Sequence, residues 1–269
     1  REPDVDVREL FEKDVRQMLW VVTDEEVLAA VQAEFAPKNG LIIADGHHRY
    51  ETAITYRDEQ REKFPNAPED AAFNYLLVAL VSMSNPGLTI LPTHRLIFDY
   101  KQMSVDDVLA KAAEYFEIDK VVDRVALEAR MDSKVGEMGS FGIVTKSGVY
   151  ALDLKSATVM EALAPSRKKS WQTLDASILH KLILEHIMGI SEATIDALEG
   201  VEYLREPDLG YERVAEDDSA FLFVVNATRM EQIKACTAAD EKMPQKSTDF
   251  YPKVVTGLAI LDVSADTTL

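Results

Sequence analysis

The chain has 269 residues, of which 47% are hydrophobic, and carries 29 Lys and Arg against 47 Asp and Glu, a formal net charge of −18. That apolar share supplies a sizeable core, in one large domain or two small ones. The acidity argues against duplex DNA as a partner, because a polyanion needs a locally positive surface and is repelled by the rest.

No apolar stretch approaches the roughly 20 residues that span a bilayer, and no charged-then-apolar leader opens the chain, so no membrane association is expected. Cys236 is the single cysteine, which excludes an intramolecular disulfide and a thiolate metal cluster; a reducing cytoplasm fits.

In chain order, Asp24 to Phe35 reads as a helix with Val27, Ala30, Val31 and Phe35 on one face. Lys38-Asn39-Gly40 turns the chain into an expected strand, Leu41 to Ala44. His47 to Phe64 holds no proline or glycine, pairs Glu59 with Lys63, and should be a helix stopped by Pro65. Phe73 to Met83 is apolar enough for a buried strand, closed by the turn Asn85-Pro86-Gly87, with Leu88 to Phe98 as its hairpin partner.

Helical spacing follows over Ser104 to Phe116 and Arg124 to Glu137, then a hairpin of Phe141 to Thr145 with Val149 to Leu154 around Lys146-Ser147-Gly148. Asp175 to Met188 is a strongly apolar helix with Gly189 as its C-cap. The end reads strand Ala220 to Val225, helix Arg229 to Ala238, a Lys-Ser-Thr loop and strand Val254 to Leu261. This predicts an α/β chain of mixed α+β class, a mixed sheet with flanking helices and a small α/β subdomain. The divisions expected are 1–99 around a phosphate-binding box, 100–155 as the subdomain, and 156–269 packing back on the box region.

Chemistry crowds onto one strand-to-helix turn, Asp45-Gly46-His47-His48-Arg49-Tyr50-Glu51-Thr52. The first N–H groups of a helix lack intrahelical partners and sit at the positive end of its dipole, so an anion can bind there. Arg49 adds a donor fork suited to phosphate or carboxylate. Asp45 reads from spacing first as the N-cap of that helix, with a general base or metal ligand as the alternative. His47 and Glu51 share a helix face, as do His48 and Thr52, so Glu51 can orient His47 and raise its pKa. Adjacent histidines diverge by about 100° on a helix, which leaves Asp45 with one histidine, such as His47, as the metal candidates.

His94 and Arg95 follow Pro92, which suggests an edge or bulge; they either reach the same cleft or form an exposed strand end. Gln245, Lys246, Ser247 and Thr248, with Tyr251 and Lys253 beyond, read by themselves as a polar surface loop or as an amide, an ammonium and hydroxyls that can clamp a second phosphate or a small acidic substrate. No Gly-x-x-x-x-Gly lead makes this a Walker A loop. His180, among Ile178, Leu179, Leu182 and Ile183, reads as packing, Cys236 as a small buried hydrophobe, and Arg167-Lys168-Lys169 as a solvated loop.

The stretch IADGHHRYETA resembles the hallmark of the domain of unknown function 1015 family of prokaryotic proteins. The resemblance extends through Leu91-Pro92-Thr93-His94-Arg95, Leu174-Asp175-Ala176-Ser177-Ile178-Leu179-His180, and Met243 to Lys253. The chain departs from the family at Ala227 in Asn226-Ala227-Thr228, where proline is usual, and at Asp249, where an aromatic is usual. Family members are longer at the amino end, which implies that part of the box region is missing here. The turn is also similar to the Gly-Cys-His-Arg turn of sulfiredoxins, the Gly-Glu-Arg-Arg turn of ParB-type proteins and the Asp-Gly-His-His-Arg box of archaeal free-serine kinases, which implies a ParB/sulfiredoxin-like arrangement and a nucleotide-phosphate site.

The reading that results is a cytoplasmic protein that binds a nucleotide or phosphorylated small molecule and works as a small-metabolite phosphotransferase. Asp45 or Glu51 would be the base, His47 and His48 polar stabilisers, Gly46, Arg49, Thr52 and Lys246 the phosphate contacts, with Mg²⁺ and a nucleoside phosphate as cofactors. A non-catalytic nucleotide or phosphometabolite sensor is the alternative; a ParB-like DNA protein conflicts with the acidity. Oligomerisation is left open.

Overall fold

The structure is a computed structural model that describes residues 1–8, 15–38 and 40–268. It divides into two units, Arg1–Gly87 with Pro252–Leu269, and Leu88–Tyr251.

In the first unit, β1 (Val5–Arg8) and β2 (Arg16–Leu19) form an antiparallel ribbon tied by the Arg16 guanidinium on both oxygens of Asp6, at 2.8 and 2.6 Å. Helix α1 (Glu25–Phe35) starts where Asp24 accepts the N–H groups of Glu26 and Val27, as the sequence suggests. Helix α2 (His47–Lys63) follows and stops before Pro65, with Arg61 and Lys63 in the last turn suiting its dipole. The tail 252–269 stays with this unit: the Tyr56 hydroxyl donates to Val263 O at 3.4 Å and Ala72 N–H to Thr267 O at 2.8 Å.

Three expected strands are corrected here. Leu41 to Ala44 is not a strand, and neither is 254–261; the strand near the tail lies earlier, as β10 (Asp249–Tyr251). Phe73 to Met83 begins as one 3₁₀ turn, Ala72–Asn74, and then runs irregular, with Leu77 52% and Val78 57% exposed. Its supposed hairpin partner is committed elsewhere. Within 88–98, β3 (Thr89–Leu91) pairs with β10, and β4 (His94–Ile97) pairs with strands far along the chain. Apolar composition alone does not supply a ladder, and among the described residues 75–83 has no strand partner.

The second unit is built on a six-stranded sheet in the order β5 (Phe116–Val121), β7 (Gly148–Leu154), β6 (Ser140–Thr145), β9 (Phe221–Val225), β4, β8 (Val201–Leu204). The mixed α+β class expected from the sequence holds, and every strand pair among the described residues is antiparallel. The 100–155 stretch supplies three of these six strands, and the β6–β7 hairpin has the expected register around Lys146 and Ser147.

Both faces of the sheet are covered, which is why β9 reads as an unbroken apolar run. Phe221, Phe223 and Val225 point into a core shared with Leu182, Ile183 and Ile187, while Leu222 and Val224 point the other way onto Leu127, Met131 and Val214. The second face is served by α4 (Arg124–Ser133) and α9 (Asp208–Glu216), and a capping box at Ser104 and Asp107 starts α3 (Val105–Ala112) on the first. The expected helices 104–116 and 124–137 are therefore shorter, and residues 116–121 are strand.

The apolar helix over 175–188 is present but not regular. A short α-helical turn, Asp175–Ile178, widens into a π-helix, Leu179–Ile187, whose end shows the i to i+5 bond from Met188 N–H to Ile183 O. Gly189 ends it at φ +76°, as a C-terminal glycine should. The Asp175–Ile178 turn is α7; α5 (Thr158–Leu163), α6 (Lys169–Gln172), α8 (Glu192–Asp196) and α9 have no counterpart in the expected elements, while α10 (Met230–Ala238) matches its sequence signal.

Candidate functional site

Asp45 to Thr52 and Lys253 belong to the first unit; His94, Arg95, Gln245 to Thr248 and Tyr251 belong to the second. Each set is built from its own neighbours.

In the first unit, Gly46 is the N-cap of α2, in a left-handed conformation at φ +82°, ψ +28°, and no side chain caps the helix. Tyr50 N–H makes the first turn's bond, to Gly46 O at 3.0 Å, so the N–H groups of His47, His48 and Arg49 have no intrahelical acceptor. Asp45 is not the cap. With Gly46 in the cap position, Asp45 falls one residue outside the helix, where its carboxylate accepts from Arg49 at 3.0 Å and lies 3.7 Å from Lys253 Nζ. The Arg49 guanidinium folds back over Gly46, and a Cβ there would meet it at 2.7 Å. Only glycine leaves that room without strain.

Glu51 turns to His48, not to His47: the His48 Nδ1 to Glu51 Oε2 distance is 3.4 Å. That i,i+3 spacing corrects the expected i,i+4 pairing with His47. The two imidazoles lie 5.0 Å apart and tilted by 49°, and Thr52 donates its hydroxyl to His48 O at 2.8 Å, so that group serves its own helix. All of Asp45, His47, His48, Arg49, Glu51 and Thr52 are exposed. Among the described residues no three His, Cys, Asp or Glu groups gather as a metal cage. What this turn offers is an open helix start flanked by exposed cationic and carboxylate groups.

In the second unit, the expectation of an exposed strand end at His94 and Arg95 is overturned. Both are buried, because β4 lies between β9 and β8 and Pro92 precedes the strand instead of bulging it. His94 Nδ1 accepts Val225 N–H at 3.2 Å, and burial with the neighbouring Arg95 charge pushes its pKa down to about 4. The Arg95 guanidinium, 2% exposed, donates to Thr93 O, to Lys246 O at 3.1 Å, to Gln245 O at 3.5 Å and to His180 Nε2 at 3.3 Å, and stacks 5.1 Å from the ring of Tyr203.

His180 reads from sequence as simple packing, yet it is a hydrogen-bond acceptor held neutral by burial and by Arg95, with its pKa pushed down to about 3. Nothing in its apolar surroundings signals this, although it ends the block of residues that carries the family resemblance. Asp175, in the same block, accepts Gly139 N–H at 2.7 Å, and burial raises its carboxyl to about 6.

The 244–247 turn is tightly made. Ser247 donates to Pro244 O and Thr228 to Ser247 O, both at 2.6 Å, and Lys246 takes φ +54° with its side chain exposed. Gln245 and Lys246 meet Arg95 through their carbonyls, not their side chains. Thr248 is half-buried, and Tyr251 lies 5.9 Å from the guanidinium of Arg205, which grips Asp249 at 2.7 Å. Cys236 is free and buried, as expected.

The family described as "Protein of unknown function (DUF1015)" matches residues 1–177, and the chain belongs to it. No curated protein matches the chain. Two solved structures are similar at 14% identity: a conserved hypothetical protein from Pyrococcus furiosus, TM-score 0.42, covering 84% of this chain and 81% of the other, and a mutant free serine kinase in complex with AMP, TM-score 0.41, covering 85% and 81%. No helix among the described residues is long and apolar enough to cross a membrane.

Proposed function

We propose that the start of α2 receives a phosphate group of a nucleotide or phosphorylated small molecule, and that the protein acts as a small-metabolite phosphotransferase. The observation that carries this reading is the uncapped helix start: Gly46 replaces a capping side chain and leaves three N–H groups at the positive end of a 17-residue helix. Arg49, whose side chain is 69% exposed, can exchange Asp45 for phosphate oxygens. Released from Arg49, Asp45 could take a substrate hydroxyl proton or hold Mg²⁺ together with phosphate oxygens and water, the hard oxygen set that ion prefers. Mg²⁺ there would neutralise charge on the phosphates. His48, steadied by Glu51, would donate to the transferring group.

Calorimetric titration of the protein with ATP, ADP and inorganic phosphate tests this. Saturable binding that weakens at least tenfold in Arg49→Ala is expected, and absence of binding by all three overturns it. A turnover assay then separates transferase from sensor: stoichiometric binding without product across candidate acceptors assigns the sensor role.

A further inference from the structure

A second feature lies wholly in the unit Leu88–Tyr251 and does not depend on α2. Arg95 is a buried guanidinium with no carboxylate in ion-pair range among the described residues, in a chain where acids outnumber bases 47 to 29. Its partners are the carbonyls of Thr93, Gln245 and Lys246, the neutral Nε2 of His180 and the ring of Tyr203. A buried charge satisfied by dipoles alone is an incomplete arrangement, since full ionic partners recover far more of the lost hydration. Arg95 also lowers the pKa of both His94 and His180, so the field around it is positive. Tyr203, cross-strand from Arg95, keeps a buried hydroxyl without a hydrogen-bond partner.

The Gln245 and Lys246 carbonyls belong to the 244–247 turn, which reaches Arg95 through its backbone. Lys246 sits at φ +54°, uncommon for a residue with a Cβ, and its ammonium is exposed. We propose that Arg95 is the counter-charge of an oxyanion-binding site closed by the 244–247 turn, in which a ligand phosphate or carboxylate takes the place of the Gln245 and Lys246 carbonyls. Tyr203 and Lys246 would supply further donors to the same anion. No bond is made or broken in this step; one set of acceptors replaces another.

The test is an NMR titration of the full chain carrying Arg49→Ala, which weakens the α2 contribution, with inorganic phosphate and separately with acetate, read at resonances of the Leu88–Tyr251 unit. Saturable shifts of the 244–248 amides and of the Arg95 Nε–H are expected, weakened at least tenfold in Arg95→Gln. Preference for phosphate assigns a phosphoryl ligand and preference for acetate a carboxylate; either supports the site. Shifts that stay linear in both anions, or that persist unchanged in Arg95→Gln, overturn it. Should Arg95→Gln fail to fold, the Arg95 Nε–H decides alone: saturation supports the site and no movement refutes it. Failure here leaves the α2 proposal standing.

Discussion

The guanidinium of Arg49 rests against Gly46, 2.7 Å from where a Cβ would be, and reaches past it to Asp45 at 3.0 Å. One glycine therefore fixes three things: the left-handed entry to α2, the displacement of Asp45 from the capping position, and the seat of the arginine beside the helix start.

Replacing Gly46 by alanine should strain the φ +82° backbone and push Arg49 away. A left-handed conformation at a residue with a Cβ costs about 1–2 kcal/mol, so a loss of that size in chemical denaturation is expected, together with weaker phosphate binding. Gly46→Asn, which tolerates this region better, should recover part of the stability.

Acid should weaken the second unit through its two buried histidines. His94 and His180 have folded pKa values of about 4 and about 3, below the ordinary 6.5, so under pH 6.5 the unfolded chain takes up protons that the folded chain refuses. Stability is fully present above that pH and falls as pH drops toward 4. Denaturation followed from pH 7.5 to 4.5 should show this decline, and His180→Gln should flatten it even if the variant is less stable at neutral pH. An unchanged slope in that variant would assign the acid sensitivity to other groups.

Asp175 has the opposite sign. Its folded pKa, raised to about 6, means the native state holds a proton that the unfolded chain releases above about pH 4, so its contribution is lost as pH rises through 6. Asp175→Asn keeps an acceptor for Gly139 N–H and removes the buried charge. It should match or exceed the parent in stability at pH 7.5, and its acid slope between pH 4 and 6 should be steeper.

Gly142 in β6 is packed from above: a Cβ would lie 2.7 Å from Leu127 Cδ2 and 3.0 Å from Val224 Cβ. Gly142→Ala should cost about 1–3 kcal/mol by overpacking. Shortening Leu127 to alanine in the same chain should return part of that, and a double-mutant cycle with no coupling would contradict the contact.

Elements whose signal is local were legible in the chain. Asp24 before α1, Pro65 after α2, Ser104 with Asp107 at α3, and the turn at Lys146 to Gly148 all act within a few residues of themselves. Elements whose existence depends on a distant partner were not. The run 75–83 has the composition of a strand but no ladder, while His94 to Ile97 is buried only because Val201 to Leu204 and Phe221 to Val225 flank it. The same division runs through the candidate sites. The box around Gly46 is contiguous, so its residue types, spacing and helix start could be read directly, though not which neighbour each side chain would choose. Arg95 and His180 lie 85 residues apart, and neither advertises the other.

The sequence by itself determined the acidic α+β character, the helix that begins at His47 and the family, because propensity and contiguous motifs are properties of neighbouring residues. Only the tertiary structure decided that Arg95 is interior, that His180 accepts its hydrogen bond and that the 244–247 carbonyls close over it. Burial and charge pairing arise from strands and loops brought together across the chain, and those pairings have no local code.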